Sequence, residues 1–556
     1  MKNNSKNTNY IKIMTLVIIA ALFIAASPTG DAAQNIYVND GNSVLSGSLA
    51  DAYAIGESGS AAKLGSSKVY ALTGSGIELV EGGQFSEPPH LSVSGTVPIS
   101  RSKIRVGLYY YHSAARDTSL ETASLQNYVG SGYKFGYYDS SFEFHEVGYT
   151  SETKLTMMKD KNVKVSNGVV GCYHILLPAT YSTFDEAKNA ASAYADGFPA
   201  YYNGEYRVLV GKYKSAAAAT ADMQNRGISG TVYSASNRCV VVTRTGTTDI
   251  LFEFDCSTQY PLVIRPRSDS EKAQTWFKSY RYYGDFQYIR TTGENLTVVN
   301  ILDMEDYVKG VIPYEMSPSW PLEALKAQAL CARTYAAKHF NYYEKHGFDV
   351  TADTYCQVYR GTSNANATTD KAVDTTAGQY VTYNGELCST LYFSSDGGAT
   401  ESNENVNGTK VPYLVGVTDP YEQAVADINS YSSWTRILTR DAVTSKLKAY
   451  VISTIIDIEP TFSETGNVIA LKFTDANGKT VTIHKSQTRT LLGLPSMRYN
   501  VSKSGTNYVF EGSGWGHNVG MSQFGANAMA AHYGYTYDQI IGFYYTGVSL
   551  STGVVR

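Results

Sequence analysis

Residues 321–340 constrain the fold of this chain more than any other stretch. Apolar residues recur there at three- and four-residue steps, at Leu322, Leu325, Ala329, Ala332, Ala336 and Phe340. This spacing places them on one face of a helix, so the sequence predicts a long amphipathic helix with one buried stripe. Pro321 suits the first turn of this helix, and Glu323 complements the partial positive charge at its N-terminus.

One helix and its partners cannot account for the whole chain. The 556 residues exceed the roughly 100 to 200 residues of a usual domain, so we expect two or three folded units. The net charge is −4, and no run of lysine or arginine stands out as a footprint for nucleic acid or anionic lipid. The charge pattern therefore disfavours a nucleic acid or another polyanion as the partner.

The first 33 residues have the layout of a secretory signal. Lys2, Lys6 and Lys12 precede an apolar run at 13–26, and small residues follow it. Because the run is shorter than the roughly 20 residues that span a bilayer, we expect cleavage, with an uncleaved membrane anchor as the alternative. The chain is therefore predicted to act outside the cytoplasm.

The cysteines lie far apart in the sequence, without a CxxC pair or a tight cluster with histidine. They are Cys172, Cys239, Cys256, Cys331, Cys356 and Cys388. A zinc ribbon or a thioredoxin-like site is therefore disfavoured. Export permits disulfides, but a chain with a large core does not require them, so both bridges and buried free thiols remain open.

Changes in composition and periodicity divide the rest of the chain. Residues 34–100 form a lead-in rich in Gly and Ser, and a β-rich region follows at 101–170. Residues 438–501 form a β-rich insertion, in which Asn477-Gly478 between two strand patterns predicts a hairpin. Between these regions, residues 171–245 alternate strand and helix patterns as βαβαβ, with helices predicted at 185–195 and 216–225.

The βαβαβ region resembles the sporulation-related repeat, SPOR. The residues that support this resemblance are the strand Tyr-Arg-Val-Leu-Val-Gly at 206–211, the alanine-rich helices on either side, and Gly227 before the last strand. The resemblance implies a small domain that binds glycan strands stripped of their stem peptides. It supplies no carboxylate pair that could cut them.

Glu315 is the strongest candidate for an acid/base residue. It is flanked by Pro313, Tyr314, Met316 and Pro318, which predicts a restricted turn with partly apolar surroundings. A carboxyl in such a place can have a raised pKa, as a general acid requires near neutral pH. The alternative is an ordinary solvated loop glutamate.

The block at 300–336 resembles the core of the stage II sporulation protein D family, also called the SpoIID/LytB domain. Similar motifs follow at 356–361, 392–402, 412–414 and 514–526. The strands at 104–107 and 280–284 also resemble the N-terminal strands of the family, so the SPOR-like unit would be an insertion. We therefore predict an α+β, β-rich multidomain fold, with the SpoIID-like catalytic domain at 246–556.

This resemblance implies a lytic transglycosylase that cleaves peptidoglycan glycan strands to 1,6-anhydromuramic ends, with Glu315 as the catalytic residue and no cofactor. It would be secreted or associated with the cell wall, and would meet a membrane only through an uncleaved signal. The glycine-bearing loops would bring small side chains to a glycan, although tight turns alone could explain them. The predicted substrate-binding residues are Tyr314, Gln328, Arg333, Tyr359, Ser395, Asp396, Thr400, Trp515, His517 and Gln523.

The sequence departs from the family pattern at two places, and two functions other than glycan cleavage are compatible with it. Asn518 stands where the family commonly has glycine, but asparagine tolerates positive φ, so the loop should persist. Some relatives bind zinc near the cysteine matching Cys356; His339 and His346 are distant in sequence here, which predicts no metal. The chain could instead enhance a partner cell-wall amidase, or be a structural component of the wall or spore.

Overall fold

The computed structural model describes residues 87–556, except residues 167, 256–259, 270, 291–294 and 451–452, together with six short strands between Ile36 and Leu79. The predicted signal lies outside the described residues. Helix accounts for 21% and strand for 38%, which confirms a β-rich α+β protein. Among the described residues, no helix has the length and apolar character needed to span a membrane.

The chain folds into two compact units, each built from three segments. The first unit comprises Met1–Val97, Ser319–Cys331 and Gly378–Thr552. The second comprises Pro98–Pro318, Ala332–Ala377 and Gly553–Arg556. Each unit therefore combines segments that are far apart in the sequence.

Two large sheets form the framework of the second unit. The ten-stranded sheet has the order Thr231–Ser234, Tyr173–Leu176, Glu205–Tyr213, Gly197–Tyr202, Ile250–Asp255, Val240–Arg244, Lys154–Lys159, Thr122–Val129, Gln274–Phe277, Tyr280–Tyr282. The seven-stranded sheet has the order Phe144–Thr150, Tyr133–Tyr138, Leu262–Pro266, Asp285–Ile289, Thr297–Asp303, Lys103–Tyr109, Val350–Thr351. Short strand pairs occur at Tyr111–Ser113 with Arg116–Asp117 and at Val163–Val165 with Gly168–Val170. The helices are Phe184–Ala191, Ala216–Asn225, Met304–Glu315 and Ala367–Thr375, with a 3-10 turn at Glu344–His346.

The segment at 171–245 contains two more strands than predicted, one at Gly197–Tyr202 within residues 171–234 and one at Val240–Arg244 after them. Gly197–Tyr202 pairs antiparallel with Glu205–Tyr213, so the order of residues 171–234 is βαββαβ rather than βαβαβ. The preceding helix ends at Ala191, earlier than predicted, and a capping box at Thr183 fixes its start. Gly197–Tyr202 also pairs in parallel with Ile250–Asp255, so the sheet of this segment continues into its neighbours.

The first unit is built from small sheets and short helices. One sheet has the order Glu386–Leu387, Gln379–Tyr383, Ser549–Val555, Val93–Ile99, and a second pairs Tyr392–Phe393 with Met521–Ser522. A third has the order Trp434–Thr439, Asn507–Gly512, Tyr499–Ser504, and a fourth has the order Ile455–Phe462, Val468–Asp475, Thr480–His484. A six-stranded sheet has the order Ala61–Ala62, Tyr53–Ile55, Ser43–Ser46, Ile36–Asn39, Val69–Thr73, Gly76–Leu79. The helices are Asn403–Asn407, Arg440–Leu447, Gln487–Thr490, Gln523–His532 and Tyr537–Tyr544, with a 3-10 turn at Glu422–Val425.

The predicted β-rich insertion has a hydrophobic core of its own. Trp434, Leu447, Phe473 and Phe510 belong to one buried cluster. The predicted hairpin is confirmed, because Val468–Asp475 and Thr480–His484 pair antiparallel around Gly478, whose φ is +78°. The first strand of this region begins at Trp434, a few residues before the predicted start.

The predicted long helix is confirmed as Leu322–Lys338. Its burial is wider than the predicted single stripe, since every residue of 327–337 is buried, including Gln328 and Arg333. The many alanines let neighbouring chain segments approach this helix from all sides. Phe340 lies beyond its last turn.

Candidate functional site

Glu315 is the last residue of the helix Met304–Glu315, rather than part of a separate turn as the sequence predicted. The Met316 N–H donates to the Ile312 carbonyl oxygen at 2.9 Å, and Met316 itself is extended, with φ −121° and ψ 153°. The helix therefore stops directly after Glu315. A carboxyl at a helix end has less positional freedom than one on a loop.

The Glu315 carboxylate is oriented by the stretch at 357–360. The Val358 backbone N–H donates to Glu315 Oε1 at 2.7 Å. The same stretch is fixed on both sides of Val358. Tyr307 Oη donates to Gln357 Oε1 at 2.9 Å, and the Arg360 N–H donates to the Gly310 carbonyl at 3.3 Å. The structure thus brings together two motifs that the sequence singled out separately.

Tyr307 lies close enough to Glu315 to sense its charge. Burial raises the pKa of the Tyr307 phenol well above its ordinary value, and the negative charges of nearby groups, Glu315 among them, act in the same direction. The phenol therefore stays protonated. It acts as a hydrogen-bond donor within this network.

Tyr359 supports the stretch that holds Glu315. Its side chain is buried, and Tyr359 Oη donates to Asn300 Oδ1 at 2.6 Å. Its ring packs 5.1 Å from that of Tyr307 and directly over Gly310, where a Cβ would come within 2.3 Å of the ring. These contacts give Tyr359 a structural part, and its contact with substrate stays a prediction.

Arg333 anchors the helix that ends at Glu315. It is fully buried and binds both carboxylate oxygens of Glu305, with Nε to Oε1 at 2.9 Å and Nη2 to Oε2 at 2.7 Å. Nη2 also donates to the carbonyl of Val373 at 3.4 Å. The sequence predicted Arg333 as a substrate ligand. In the structure, its guanidinium instead donates hydrogen bonds to groups of the protein. Direct binding of substrate by Arg333 stays a prediction.

Tyr314 is the predicted substrate-binding residue that directly precedes Glu315. Its ring is half-buried and meets Tyr280 edge-on, with the centroids 6.0 Å apart. Burial raises the pKa of the Tyr314 phenol. The aromatic pair gives the chain next to Glu315 a rigid, partly apolar surface.

In the first unit, the two predicted glycine loops come together. Ser395 and Trp515 exchange backbone hydrogen bonds of 3.1 and 2.8 Å. Gly397, at φ +67°, lies so close to Ser513 that a Cβ would approach its side chain to 2.4 Å. Asn518 has φ +65°, which confirms that asparagine sustains the turn at this position.

The side chains of these loops are mostly used within the protein. Ser395 Oγ donates to Glu422 Oε1 at 2.5 Å, and the Val417 N–H donates to Thr400 Oγ1 at 2.9 Å. Gln523 Nε2 lies 3.4 Å from Gln328 Oε1, so these two predicted residues do meet. All four predicted residues, Ser395, Thr400, Gln328 and Gln523, are buried, and their contact with glycan stays a prediction.

His517 is neutral in its surroundings. Its ring packs 5.3 Å from Phe393, and the Val519 N–H donates to Nδ1 at 3.2 Å. Burial, together with the positive charge of Arg489, lowers the pKa of His517 to about 4. A protonated His517 is therefore not available near neutral pH.

Trp515 is the predicted binding residue with the most exposed side chain, at 40% exposure. Its ring lies 4.3 Å from that of Tyr431. Two adjacent aromatic rings of which one faces solvent form a flat apolar surface. A sugar ring can stack on such a surface.

Asp396 belongs to a buried carboxylate cluster that the sequence did not reveal. Its partners are Asp419 and Glu422, and all three side chains are shielded from solvent. Asp419 Oδ2 accepts from Tyr544 Oη at 2.5 Å, and Glu422 Oε2 accepts from Ser522 Oγ at 2.5 Å. Burial and the two neighbouring carboxylates raise the pKa of Asp396 well above its ordinary value. The fold therefore favours the protonated form of Asp396.

We expect Asp396→Asn to stabilise the protein at pH 7, because the amide stays neutral at a place where burial and two carboxylates disfavour a charge. When folding raises the pKa of an acid, the protein loses stability as pH rises from the pKa of the acid in the unfolded chain, about 3.9, towards its pKa in the folded protein. The gain should therefore shrink as pH falls to about 4. Thermal unfolding of both proteins across this pH range checks it, and an equal gain at pH 4 and pH 7 would contradict it.

A cavity of the second unit lies away from Glu315. It has a volume of about 590 Å³, and its lining includes Arg101, Arg105, Arg238 and Lys345 but not Glu315. Cys356, near which some relatives bind zinc, is a free thiol. Among the described residues, none of the three groups with metal-binding geometry includes it.

Comparison with known proteins places this arrangement in a family. The sequence model of the stage II sporulation protein family, SpoIID, matches residues 292–383, which include Glu315 and the stretch that orients it. Stage II sporulation protein D of Bacillus subtilis is 32% identical over 274 residues, covering 46% of this chain and 76% of that protein. The chain belongs to the SpoIID family. An uncharacterized protein of Brachyspira hyodysenteriae is 38% identical over 279 residues, covering 48% of this SpoIID-family chain and 72% of that protein.

Two further matches bear on the remaining regions and functions. The "Amidase enhancer" of Bacillus subtilis is 34% identical to this SpoIID-family protein over 293 residues, covering 44% of this chain and 40% of that protein. A domain of unknown function, DUF8618, matches residues 428–520, which contain the insertion with its own hydrophobic core. The SpoIID match and the identity to stage II sporulation protein D confirm the predicted SpoIID family, while the SPOR-like unit stays a prediction.

Proposed function

We propose that this SpoIID-family protein is a lytic transglycosylase that acts on peptidoglycan glycan strands, with Glu315 as its acid and base. The observation that supports this proposal most is the placement of the Glu315 carboxyl at a helix end, oriented by the Val358 N–H at 2.7 Å. A carboxyl that serves in two successive proton transfers must keep one position through both.

The proposed reaction needs only one carboxyl group. Protonated Glu315 donates its proton to the glycosidic oxygen, and the bond between that oxygen and the muramic C1 breaks. The acetamido group of the muramic sugar steadies the oxocarbenium-like centre. The sugar's own carbon-six hydroxyl then bonds to C1 and returns its proton to Glu315. The product is a 1,6-anhydro sugar, and no water is consumed, whereas ordinary glycosidases use two carboxylates and a water.

The setting of the reaction follows from the remaining parts of the chain. The signal-like segment at 1–33 would export the protein to the cell wall. The segment at 171–245 would bind strands stripped of stem peptides, as its resemblance to SPOR implies. Its βαββαβ order gives a strand-and-helix platform suited to such binding.

Mass spectrometry of products from glycan strands incubated with the purified full chain tests this function. We expect fragments that end in anhydromuramic acid and are one water molecule lighter than hydrolysis products. Fragments with ordinary reducing ends would indicate a hydrolase instead.

A second function rests on the 34% identity to the "Amidase enhancer". In this case the protein would bind glycan and stimulate a partner amidase without cutting strands. Adding the chain to an amidase assay separates the two functions. Stimulation that persists unchanged in Glu315→Gln would support the enhancer function.

The exposed Trp515 leads to a prediction about binding. Trp515→Ala should weaken glycan binding roughly 5- to 30-fold, because removing an exposed aromatic anchor costs about 1 to 2 kcal/mol. Tyr128→Ala is a suitable control, since that ring is 50% exposed in the other unit. Binding to insoluble glycan, measured by sedimentation, checks this; equal affinity of both variants would exclude Trp515 from the binding surface.

A further inference from the structure

A second group of buried ionisable side chains lies in the second unit, in the ten-stranded sheet. His174 is on the strand Tyr173–Leu176, Glu253 is on Ile250–Asp255, and Asp160 directly follows Lys154–Lys159. The side chains of His174 and Asp160 are 0% exposed, and that of Glu253 is 1% exposed. They share no residue with the SpoIID match at 292–383.

The two nitrogens of His174 have different partners. His174 Nδ1 lies 2.6 Å from the Gly211 carbonyl oxygen, which can only accept, so Nδ1 bears a hydrogen. His174 Nε2 faces Asp160 Oδ2 at 3.1 Å and Glu253 Oε2 at 3.3 Å. A histidine that ligates a metal usually donates its other ring N–H to a carbonyl or carboxylate in this way.

The carboxylates are short of hydrogen-bond donors. Asp160 Oδ1 and both oxygens of Glu253 are buried and make no hydrogen bond to a nitrogen or oxygen donor. Leaving such groups without partners away from water is costly. The Cys239 thiol lies next to Glu253, but a thiol is only a weak hydrogen-bond donor.

A positive species between Nε2 and the two carboxylates would supply the missing partners. A proton on His174 is one such species, but it leaves Asp160 Oδ1 and Glu253 Oε1 without hydrogen-bond donors.

A divalent metal ion satisfies more of these atoms. One ligand atom from each of Asp160, His174 and Glu253 lies within 4.8 Å of the others. Tetrahedral zinc with bonds of about 2.0 to 2.1 Å separates its ligands by roughly 3.3 Å, close to the two contacts of Nε2. An imidazole among the donors favours zinc over magnesium or calcium, which prefer oxygen ligands.

We propose that Asp160, His174 and Glu253 bind a structural zinc ion. Two carboxylates and a neutral imidazole balance the charge of the ion. The sequence predicted no metal, because its ligands are spread over 94 positions and only the sheet brings them together. The ion joins the βαββαβ segment to the strands that precede and follow it.

Zinc analysis of the full chain, purified without a polyhistidine tag, tests the site. We expect about one zinc per chain, and Glu253→Gln, which keeps the shape of the side chain, should lower the zinc content at least tenfold. Cys356→Ser and Asp396→Asn are matched controls that should retain zinc. The proposal would be overturned if purified wild-type protein contained no zinc and if zinc added to chelator-treated protein left its melting temperature unchanged.

Cobalt substitution keeps the proposal testable if Glu253→Gln does not fold. Wild-type protein stripped of metal and loaded with Co²⁺ should show the intense visible bands of a tetrahedral ion. The weak bands of an octahedral ion, or the absence of visible bands, would contradict the proposed site.

Discussion

Replacing Glu315 with glutamine is expected to lower the rate of glycan cleavage by more than the roughly 10²- to 10⁴-fold attributed to one acid/base step. Both the leaving oxygen and the attacking hydroxyl lose their proton partner. The glutamine side chain keeps an oxygen that can accept from the Val358 N–H, so folding and glycan binding should be preserved. Release of anhydromuramic products, together with thermal melts, measures both effects.

The matched control is Glu344→Gln, since Glu344 is exposed in the same unit. Glu323 would be a less suitable control. Its Oε2 accepts from the Tyr537 N–H at 3.0 Å and its Oε1 from Lys326 Nζ at 2.7 Å, so it ties two helices together. Undiminished product from folded Glu315→Gln would remove Glu315 from the mechanism and favour the enhancer function.

Arg333→Met is expected to destabilise the protein by about 2 to 4 kcal/mol, because it leaves Glu305 without its bidentate partner. The Glu305 side chain is 33% exposed, so water can solvate part of it, and the loss should stay below that of a fully buried pair. Thermal unfolding should show a drop of several degrees. Arg238→Met, at an exposed position of the same unit, should have little effect.

A double substitution separates this anchoring role from substrate binding. Adding Glu305→Gln to Arg333→Met should recover part of the lost stability, since no unpaired charge remains. An Arg333→Met protein with wild-type stability and weakened glycan binding would contradict the anchoring role. It would support the predicted contact of Arg333 with substrate.

The sequence predicted the long helix but not its surroundings. The step of apolar residues locates Leu322–Lys338, yet alanines suit an exposed face and a buried one equally well. Burial of Arg333 depends on Glu305, 28 positions earlier, and local periodicity cannot show such a partner. The strand Gly197–Tyr202 escaped notice because Pro199 argues against a strand inside a sheet.

The same limits apply to the candidate site. The motif around Glu315 identified the residue, but Pro313 suggested a turn where the helix in fact continues for two more residues. Val358 orients Glu315 through its backbone N–H, which leaves no trace in the choice of side chain. Asp419 and Glu422 meet Asp396 only through the fold of the loops, so no spacing in the sequence links them.

The most direct test of the central claim is cleavage of glycan strands in water enriched in oxygen-18. Because the carbon-six hydroxyl replaces water in the proposed reaction, the products should end in anhydromuramic acid without the heavy isotope, and Glu315→Gln should form none. Heavy oxygen at new reducing ends, or no cleavage by folded wild-type protein, would contradict a lytic transglycosylase that uses Glu315.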